Sequence, residues 1–553
     1  MYARAKASFM RLALLTLLLL SGLLLMLNLL QEQSRQQDSR EPQPQSRQLM
    51  SKATPPPLRL IEEPLDEQLV QQLEQELPEV DYEFWYKYAK PHSYRYNRSC
   101  APYADPLELQ LHNIYWQSFQ NENVSYRLYA AYWDERITPP KVRVLVTANQ
   151  MGQSFPPSHC QLWYADRAKP LLLPVVEHLS IWIKGWGYKP QLNYPHLLAC
   201  ELPAGEPPRT VSLVAAACAR ASNSLRVHYA PRAAPTNASV AASLSFGVCV
   251  KGFDFPYVDL SEPLIEWFEL QRLLGAARIY AYMYDVHPSV QRVLDYYQRQ
   301  GFLELRPLTM ASGMPRLRHY QHMLLQKRRL VKRLNELIPY NDCFYRNMYR
   351  HDYMLNVDID EIVLPLGKLR SWQQLVQAQL LPFAQTKPKC GGPTALCAIN
   401  GYFTKLLAPS AAPDAEPELQ VLQRTLRYRN YSLPGRATKC FHNTRFSLTL
   451  HNHFTLKYLP TACRPQSFST LLAHMQHYRE PDANYTRAEL VEDRAIWRYA
   501  PQLRAAVEQV WLHLDDAQQP ELDDVPSEFP LQLQEDNESE LELKQLVQQL
   551  QLN

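Results

Sequence analysis

The sequence predicts an α/β fold for its main domain, residues 246–514, with a mostly parallel sheet and helices on both faces. From Phe246 onward, short apolar runs alternate with segments in which apolar residues recur at helical spacing. Such alternation favours parallel strands joined by helices. In addition, Lys251, Asp285 and Asp358 each follow a predicted strand end, where sheets of this class bind ligands. Asp285 fits equally well as the cap of the next helix.

The individual elements of this domain follow from local patterns. Predicted strands cover residues 246–250, 279–284, 302–305 and 353–357, and predicted helices cover residues 260–274, 289–299 and 318–337. Asp259 and Ser261 are suited to cap the first helix. Gly275 and Gly301 follow the first two helices, and glycine commonly ends a helix. These signals predict where each element begins and ends.

The first 30 residues are typical of a membrane anchor. Residues 12–30 are mostly leucine and are long enough to cross the hydrocarbon core of a bilayer. Arg4, Lys6 and Arg11 precede this segment without any acidic residue. The positive-inside rule therefore places residues 1–11 in the cytoplasm and the remainder across the membrane. A cleaved signal peptide is the alternative, but a small-x-small cleavage site is missing.

A stem and a β-rich domain are predicted between the anchor and the main domain. Residues 31–80 are rich in Gln, Ser, Pro and charge and have too few apolar residues to form a core. Residues 81–245 contain short strand-type runs separated by Pro and Gly, which predicts a β-sandwich-like accessory domain. Residues 515–553 are acidic and Gln-rich, and we expect a loosely ordered tail. The net charge of +3 gives no indication of nucleic-acid binding.

Cysteines and glycosylation sequons agree with a location across the membrane. All ten cysteines lie beyond the anchor, and none has the spacing of a zinc site. Disulfide bonds are therefore predicted, with their pairing left open. Candidate N-glycosylation sequons begin at Asn97, Asn123, Asn237, Asn430, Asn484 and Asn537.

Asp358 and Asp360 form the motif around which the chain is organised. They end a short apolar run of strand type, and residues two apart in an extended chain point to the same side. Two converging carboxylates need a cation between them. Oxygen ligands suit Mg²⁺ or Mn²⁺, which often hold a substrate phosphate as well. A short acidic motif in a solvated loop is the alternative, although the apolar lead-in disfavours it.

Basic residues and histidines are concentrated after this motif. Residues 419–479 contain no Asp or Glu, but nine Lys or Arg and five His. A stretch of one sign attracts the opposite charge, and the diphosphate of a sugar nucleotide is a suitable anion. Neutralisation by the acidic tail or by another face is the alternative. Because a neutral imidazole can complete a metal site, we expect at least one functional histidine among His451, His453 and His477.

Several blocks of the sequence resemble glycosyltransferase family 92. They cover residues 249–262, 264–270, 301–302, 337–343, 357–361 and 450–454, with a further likeness around residues 130–136. The resemblance implies a GT-A fold, a UDP-sugar donor, a divalent metal, usually Mn²⁺, and inversion at the anomeric carbon. The activity in this family that fits best is transfer of galactose from UDP-galactose to fucose on the core of N-glycans.

Together with the motifs, the resemblance implies roles for individual residues. Asp358 and Asp360 would hold the metal, one of them acting partly on the ribose or through water. His477 is the first choice for a further metal ligand, with His453 or His451 as alternatives. The expected donor contacts are Arg424 and Lys439 at the diphosphate and Lys251 and Asp285 at the uridine. Glu361 is a candidate general base, an assignment left open among Asp414, Glu416, Glu418, Glu480, Asp482, Glu489, Glu492 and Asp493.

The anchor, the stem and the family resemblance imply a single-pass type II protein of the Golgi membrane. Its catalytic domain would face the lumen, and its acceptor would be a glycan or glycoprotein. Two other classes remain open, namely a catalytically inactive lectin or adhesion ectodomain and a metal-dependent phosphohydrolase. The intact Asp358 and Asp360 pair argues against the first class. The anchor and the strand–helix lead-in to the motif fit the second class less well.

Overall fold

The computed structural model describes nine segments of the chain. They are residues 66–86, 100–152, 154–167, 169–231, 243–311, 317–386, 389–407, 419–481 and 484–516. The predicted cytoplasmic segment and anchor, and most of the predicted stem and C-terminal tail, lie outside these ranges. The same holds for sequons Asn97, Asn237 and Asn537 and for base candidates Asp414, Glu416, Glu418 and Asp482. Within the nine segments, no helix has both the length and the apolar character needed to cross a membrane.

One 11-residue helix, three helical segments of three residues each and nine strands form the first part of the described chain. Helix α1 spans Asp66–Glu76. The strands are β1 Leu111–Asn113, β2 Trp116–Asn121, β3 Val124–Asp134, β4 Lys141–Ala148, β5 His159–Trp163, β6 Leu171–Ser180, β7 Tyr194–Glu201, β8 Thr210–Val214 and β9 Leu225–His228. They join in the order β1-β2-β3-β4-β7-β6-β5-β8-β9, and β9 also pairs with β3 in parallel.

This arrangement differs from the predicted β-sandwich. The strand-rich character is confirmed, but all nine strands belong to one continuous sheet instead of two separate ones. The β6–β7 pairing joins the two halves, and β9 returns to β3, where Ala131 lies opposite Val227. Alternating apolar residues predict strands, but they do not specify which strands pair. The sequence pattern therefore could not distinguish one sheet from two.

In the second part of the chain, strands and helices largely alternate as far as residue 385, and most of the later elements are strands. The helices are α2 Ser261–Leu274, α3 Pro288–Arg299, α4 Arg318–Lys327, α5 Arg329–Asn347, α6 Trp372–Gln385, α7 Gln420–Gln423 and α8 Ala500–Asp516. The strands are β10 Phe246–Phe255, β11 Ala276–Val286, β12 Leu303–Pro307, β13 Tyr353–Asn356, β14 Glu361–Pro365, β15 Ala395–Ala398, β16 Asn400–Tyr402, β17 Leu426–Tyr428, β18 Lys439–Asn443, β19 Ser447–Leu450, β20 Thr455–Tyr458, β21 Gln466–Ser467, β22 Ala473–His477 and β23 Leu490–Glu492.

A seven-stranded sheet in the order β12-β11-β10-β13-β18-β15-β21 forms the centre of this part. Strands β12, β11, β10 and β13 are parallel, as the alternating pattern predicts. Strand β18 runs antiparallel to its neighbours β13 and β15, so the whole sheet is mixed. One expected element differs: the predicted helix 318–337 is two helices, α4 and α5, separated at Arg328.

Alternate residues of the central strands pack on opposite faces of the sheet. Val248 and Ile279 join the core that includes α2, α3 and α8. Their neighbours Cys249 and Tyr280 join a second core, formed with α5 and the nine-stranded sheet. Adjacent strand residues point to opposite sides, so both faces of these strands are buried. This double burial explains why the strands have continuous apolar sequences.

Five disulfide bonds pair all ten cysteines. The pairs are Cys100–Cys218, Cys160–Cys200, Cys249–Cys343, Cys390–Cys463 and Cys397–Cys440. The prediction of disulfide bonds is therefore confirmed, and the structure supplies the pairing that the sequence left open. The bond between Cys249 and Cys343 ties β10 to α5 close to the ends of the parallel strands.

A buried histidine should make the folding stability depend on pH. His196 on β7 is 1% exposed, and its Nε2 lies 3.1 Å from the Gln150 carbonyl oxygen. Burial lowers the pKa of His196 from 6.5 to about 4. The unfolded chain therefore binds a proton in mild acid that the folded protein does not bind. The resulting stability is present above the unfolded pKa and is lost as the pH falls toward the folded pKa.

We expect this residue alone to reduce the free energy of unfolding by about 2 kcal/mol between pH 7 and pH 5. Melting temperatures of the wild type and His196→Gln, recorded across this interval, measure the effect. The variant should lose less stability on acidification, because glutamine does not titrate. His513→Gln changes an exposed histidine and serves as the control. Parallel pH profiles for the wild type and His196→Gln would contradict the prediction.

Candidate active site

The Asp358 and Asp360 motif lies in a turn between β13 and β14, at the carboxyl edge of the parallel strands. Strand β13 ends at Asn356, which lies opposite Cys249 of β10. Two residues beyond this pair, β10 reaches Lys251 and the segment after β13 reaches Asp358, so the two residues lie side by side. Lys251 Nζ lies 3.1 Å from Asp358 Oδ2. The parallel register thus places a cation next to the first carboxylate of the motif.

The antiparallel pairing of β14 with β22 brings His477 to the same turn. Glu361 lies opposite His477 in this register. His477 Nε2 lies 3.4 Å from Asp360 Oδ2 and 3.7 Å from Glu361 Oε1. The backbone N–H of Tyr478 donates to the Asp360 carbonyl oxygen at 2.8 Å, which holds the turn against β22. Asp360 and His477, both expected as metal ligands, therefore lie side by side.

The Asp358 carboxylate has three neighbours that favour its charged form. Lys251 contacts it directly, and the Tyr340 hydroxyl donates to Oδ1 at 3.1 Å. Lys439 Nζ lies 3.6 Å from Oδ2. Burial alone would raise the pKa of Asp358, but Lys251 and Lys439 hold this pKa well below its usual range. Asp358 is consequently an ionised, firmly positioned carboxylate, whereas the Asp360 side chain is 42% exposed.

Lys439 does not occupy the position expected of a diphosphate ligand. Its side chain is fully buried, and Nζ lies 2.9 Å from Glu361 Oε2. It also donates to Asn452 Oδ1. Burial acts to lower the pKa of Lys439, but Asp358 and Glu361 raise this pKa above its ordinary value. Lys439 is therefore an internal cation that holds two carboxylates in place, because β18 lies inside the sheet and not at its rim.

Glu361 is also buried, which disfavours its role as a general base. Its Oε2 accepts a hydrogen bond from the Asp358 backbone N–H at 2.8 Å as well as the contact from Lys439. Burial raises the pKa of Glu361. The contacts of Glu361 with the Asp358 N–H and with Lys439 indicate that Glu361 stabilises the turn that contains Asp358 and Asp360.

The other described base candidates also have structural partners. Glu480 accepts from the Lys405 backbone N–H at 2.7 Å and from the Tyr485 hydroxyl. The remaining contacts are Glu489 with Thr486, Glu492 with Arg494 and Asp493 with Arg427. None of these contacts singles out one carboxylate, so the identity of the base stays open.

Lys251 and Asp285 were expected just beyond strand ends, but both lie inside strands. Pairing between β10 and β11 continues to Phe255 and Val286, well past the apolar part of each strand. Lys251 joins the motif and also lies 3.2 Å from Glu336 Oε1. Asp285 instead forms an ion pair with Arg318 on α4. The structure thus brings Lys251 to the motif and gives Asp285 a partner on a neighbouring helix.

Arg424 lies beside Asp360 and lines the same small cavity of about 70 Å³. Its guanidinium donates to the carbonyl oxygens of Phe403 and Thr404 at 2.8 and 3.1 Å. It also lies over the Tyr478 ring, 5.4 Å from the ring centre. These contacts hold a cation in a defined orientation near the exposed carboxylate of the motif.

His451 and His453, the alternative metal ligands, lie on the segment that follows β19. The His451 ring packs 4.5 Å from the Trp186 ring, and His453 Nδ1 lies 3.3 Å from the Thr438 carbonyl oxygen. Burial, with a smaller contribution from Lys439, lowers the pKa of His451 to about 4 and that of His453 to about 3. Both imidazoles are therefore neutral at pH 7. Neither has the contact with Asp360 that His477 makes.

The side chains in contact around the motif form the Asp358 cluster, which comprises Asp358, Asp360, Glu361, Lys251, Lys439 and His477. Three further residues, Tyr340, Glu336 and Asn452, belong to this cluster and were missed by reasoning from the sequence. Tyr340 donates to both Asp358 and Asn452, and Glu336 binds Lys251. Tyr340 and Asn452 lie inside blocks that carry the family resemblance, and Glu336 directly precedes one of them. The available signal was the presence of polar residues within these blocks. A buried helix face is normally apolar, so a polar residue there indicates a specific contact.

The cluster is chemically suited to a cation, although it is not a complete metal site. Among the described residues, no group of three or more His, Cys, Asp or Glu side chains is arranged to hold a metal ion. Asp360 Oδ2 and His477 Nε2 nevertheless have a separation that two ligands of one ion commonly show. The four carboxylates of Asp358, Asp360, Glu361 and Glu336 outnumber the three cationic side chains of Lys251, Lys439 and Arg424. This excess negative charge, on the side where Asp360 is exposed, favours binding of an added cation.

Comparison with known proteins identifies the family of this domain. The family model for glycosyltransferase family 92 matches residues 245–519. The search of curated proteins finds no match. A solved structure of ferredoxin-NADP+ reductase from Plasmodium falciparum with 2'P-AMP shows 8% sequence identity and a TM-score of 0.09. The alignment covers 36% of this chain and 82% of that chain. Through residues 245–519, which include the central sheet and the whole Asp358 cluster, the chain belongs to glycosyltransferase family 92.

Proposed function

We propose that this glycosyltransferase is metal-dependent and inverting, and that it transfers galactose from UDP-galactose to a glycan such as fucose on an N-glycan core. The observation that carries the proposal is the pairing of Asp360 with His477, next to an ionised Asp358 at the carboxyl edge of four parallel strands. This arrangement also supports a GT-A fold, in which a sugar nucleotide binds at that edge.

Each residue of the cluster has a role in this proposal. Asp360 and His477 would hold the metal, and Asp358 would act through water or on the ribose. A bound Mn²⁺ or Mg²⁺ supplies Lewis-acid neutralisation of the charge that develops on the departing UDP. Arg424 would contribute further positive charge at the diphosphate. Lys251 and Lys439 would keep Asp358 ionised and in position. In this proposal, that role replaces the contacts with the donor that were first expected of these two lysines.

The acceptor hydroxyl would attack the anomeric carbon from the face opposite the leaving UDP, which inverts the configuration. The new bond joins the acceptor oxygen to the anomeric carbon, and the bond to the diphosphate oxygen breaks. A carboxylate base would remove the hydroxyl proton. Glu361 is disfavoured for this step by its burial, so the proposal leaves the base unassigned.

Residence in the Golgi lumen, behind the anchor predicted at residues 12–30, is part of the same proposal. Five disulfide bonds support an oxidising compartment. The sequon asparagines Asn123, Asn430 and Asn484 are exposed and thus accessible to glycosylation. Secretory processing would explain both features.

A transfer assay on the full-length protein in detergent tests the proposal. The protein is incubated with Mn²⁺, a panel of UDP-sugars and core-fucosylated N-glycopeptides, beside the double variant Asp358→Asn with Asp360→Asn. We expect mass spectrometry to show a gain of one hexose with UDP-galactose that the variant loses. Mn²⁺-dependent UDP binding without transfer would refute the acceptor. Absence of UDP binding would favour an inactive, glycan-binding ectodomain.

A further inference from the structure

A second concentration of positive charge lies at the junction between α4 and α5. Residues 305–335 contain no Asp or Glu. Five cations occur close together at this junction, namely Lys327, Arg328, Arg329, Lys332 and Arg333. Lys332 is partly buried and the other four are exposed. None of the five forms an ion pair with a carboxylate in the described part of the chain, so their charge is directed to solvent.

The beginning of α5 adds to this charge. The helix has 19 residues, no side chain caps its N-terminus, and its first turn contains no acidic residue. The first N–H groups of a helix lack partners within the helix and carry partial positive charge. Such a helix end attracts anions. The carbonyl end of α4, which stops at Lys327, offsets part of this helix-end charge. The five side chains therefore supply most of the positive charge, and no described acidic residue in the first turn of α5 opposes them.

The loop between β6 and β7 extends the positive region. Leu330 of α5 lies against Gly187 of this loop, with Cδ1 3.6 Å from the position that a Cβ would occupy. Residues 178–200 contain no Asp or Glu, and Lys184 and Lys189 are exposed. Tyr188 between them is 38% exposed, and Lys184 Nζ lies 5.4 Å from its ring centre. We call these seven cations and Tyr188 the basic surface.

The basic surface reaches the Asp358 cluster along two routes. Lys332 precedes Glu336 by one helical turn, or about 6 Å along the axis of α5, and Glu336 binds Lys251 of the cluster. In the β6–β7 loop, Trp186 packs against His451. A ligand held on the basic surface would therefore lie next to the site of transfer.

We propose that the basic surface binds an anionic oligosaccharide, one with sulfate or carboxylate groups, and presents it to the Asp358 cluster as the acceptor. The acceptor role rests on the glycosyltransferase activity proposed above, whereas the binding itself does not. Lys and Arg form charge-assisted hydrogen bonds with such groups. Tyr188 stacks on Tyr194, with 5.3 Å between the ring centres, and this contact fixes the ring beneath Lys184.

Two other sources of anionic groups are the donor diphosphate and the headgroups of a membrane. A bilayer against the basic surface would cover the side of the cluster that Trp186 and His451 border, and would obstruct an acceptor. The donor is expected at Arg424 and Asp360, whose shared cavity is lined by none of the basic-surface residues. An oligosaccharide acceptor is compatible with both the charge and the position of the surface.

Binding of a heparin hexasaccharide to the full-length protein in detergent tests the proposal. One variant carries Arg328→Gln, Arg329→Gln and Arg333→Gln, and a second carries Lys184→Gln and Lys189→Gln. The control changes three exposed cations elsewhere, with Arg299→Gln, Lys368→Gln and Lys389→Gln. We expect about tenfold weaker binding or more for both surface variants, with a shallower salt dependence, and about twofold change or less for the control. Matching melting temperatures establish that the variants are folded.

Transfer assays then separate the three sources of anion. With a sulfated acceptor, the surface variants should raise the acceptor KM about tenfold while kcat and the KM for UDP-galactose stay near the wild-type values. A rise in the donor KM would overturn the proposal. Binding to phosphatidylserine vesicles but not to the hexasaccharide would also overturn it. If the wild type showed no transferase activity but bound the hexasaccharide, and the surface variants lost that binding, the binding site would be upheld and the proposed function refuted.

Discussion

Replacing Asp360 by Asn should abolish Mn²⁺-dependent UDP binding and reduce the rate of transfer by about 10²- to 10³-fold. The change removes a negative charge from the pair that Asp360 forms with His477, where Oδ2 and Nε2 lie 3.4 Å apart. Because the Asp360 side chain is partly exposed, the melting temperature of the metal-free protein should hardly change. Calorimetric titration with UDP, carried out with and without Mn²⁺, measures the loss of binding and distinguishes it from misfolding.

His477→Ala should act in the same direction, since it removes the other member of the pair. The matched control is Asp166→Asn, which removes an equal charge from an exposed turn that follows β5. Its UDP binding and transfer rate should equal those of the wild type. If Asp360→Asn kept its Mn²⁺-dependent UDP binding, the metal could not be held by Asp360 and His477.

Lys439→Met should lower the free energy of unfolding by about 3–5 kcal/mol, the usual effect of breaking a buried ion pair from one side. Lys439 is fully buried and lies between Glu361 at 2.9 Å and Asp358 at 3.6 Å. Methionine has a similar length but leaves both carboxylates without this cation in a region that excludes water. A large fall in the melting temperature is therefore expected.

Two comparisons make this second prediction specific to the buried charge. Lys251→Met removes the other cation of Asp358, but the Lys251 side chain is 25% exposed, so its loss should cost less. Adding Glu361→Gln to Lys439→Met should restore part of the stability, because it removes one uncompensated carboxylate. Equal melting temperatures for wild type and Lys439→Met would show that the internal ion pair does not stabilise the fold.

The mispredicted features share a physical cause. The split between α4 and α5 at Arg328 and the single nine-stranded sheet both depend on how segments pack, and apolar periodicity is the same in either arrangement. Lys439 was expected as a diphosphate contact, but its side chain is fully buried. Its burial follows from the pairing of β18 with β13, which directs the side chain toward Asp358.

The sequence by itself determined the parallel strands β10 to β13, the presence of disulfide bonds and the family. These features follow from local periodicity, from the number and position of the cysteines and from short sequence blocks. Asp358 and Asp360 were expected at the end of an extended strand, but the structure places them in a turn. Only the tertiary structure decided that His477 lies beside Asp360, that Lys439 is internal and that Tyr340 meets Asn452, 112 residues further along the chain. Such contacts are set by strand register and helix packing, which join residues that no local pattern relates.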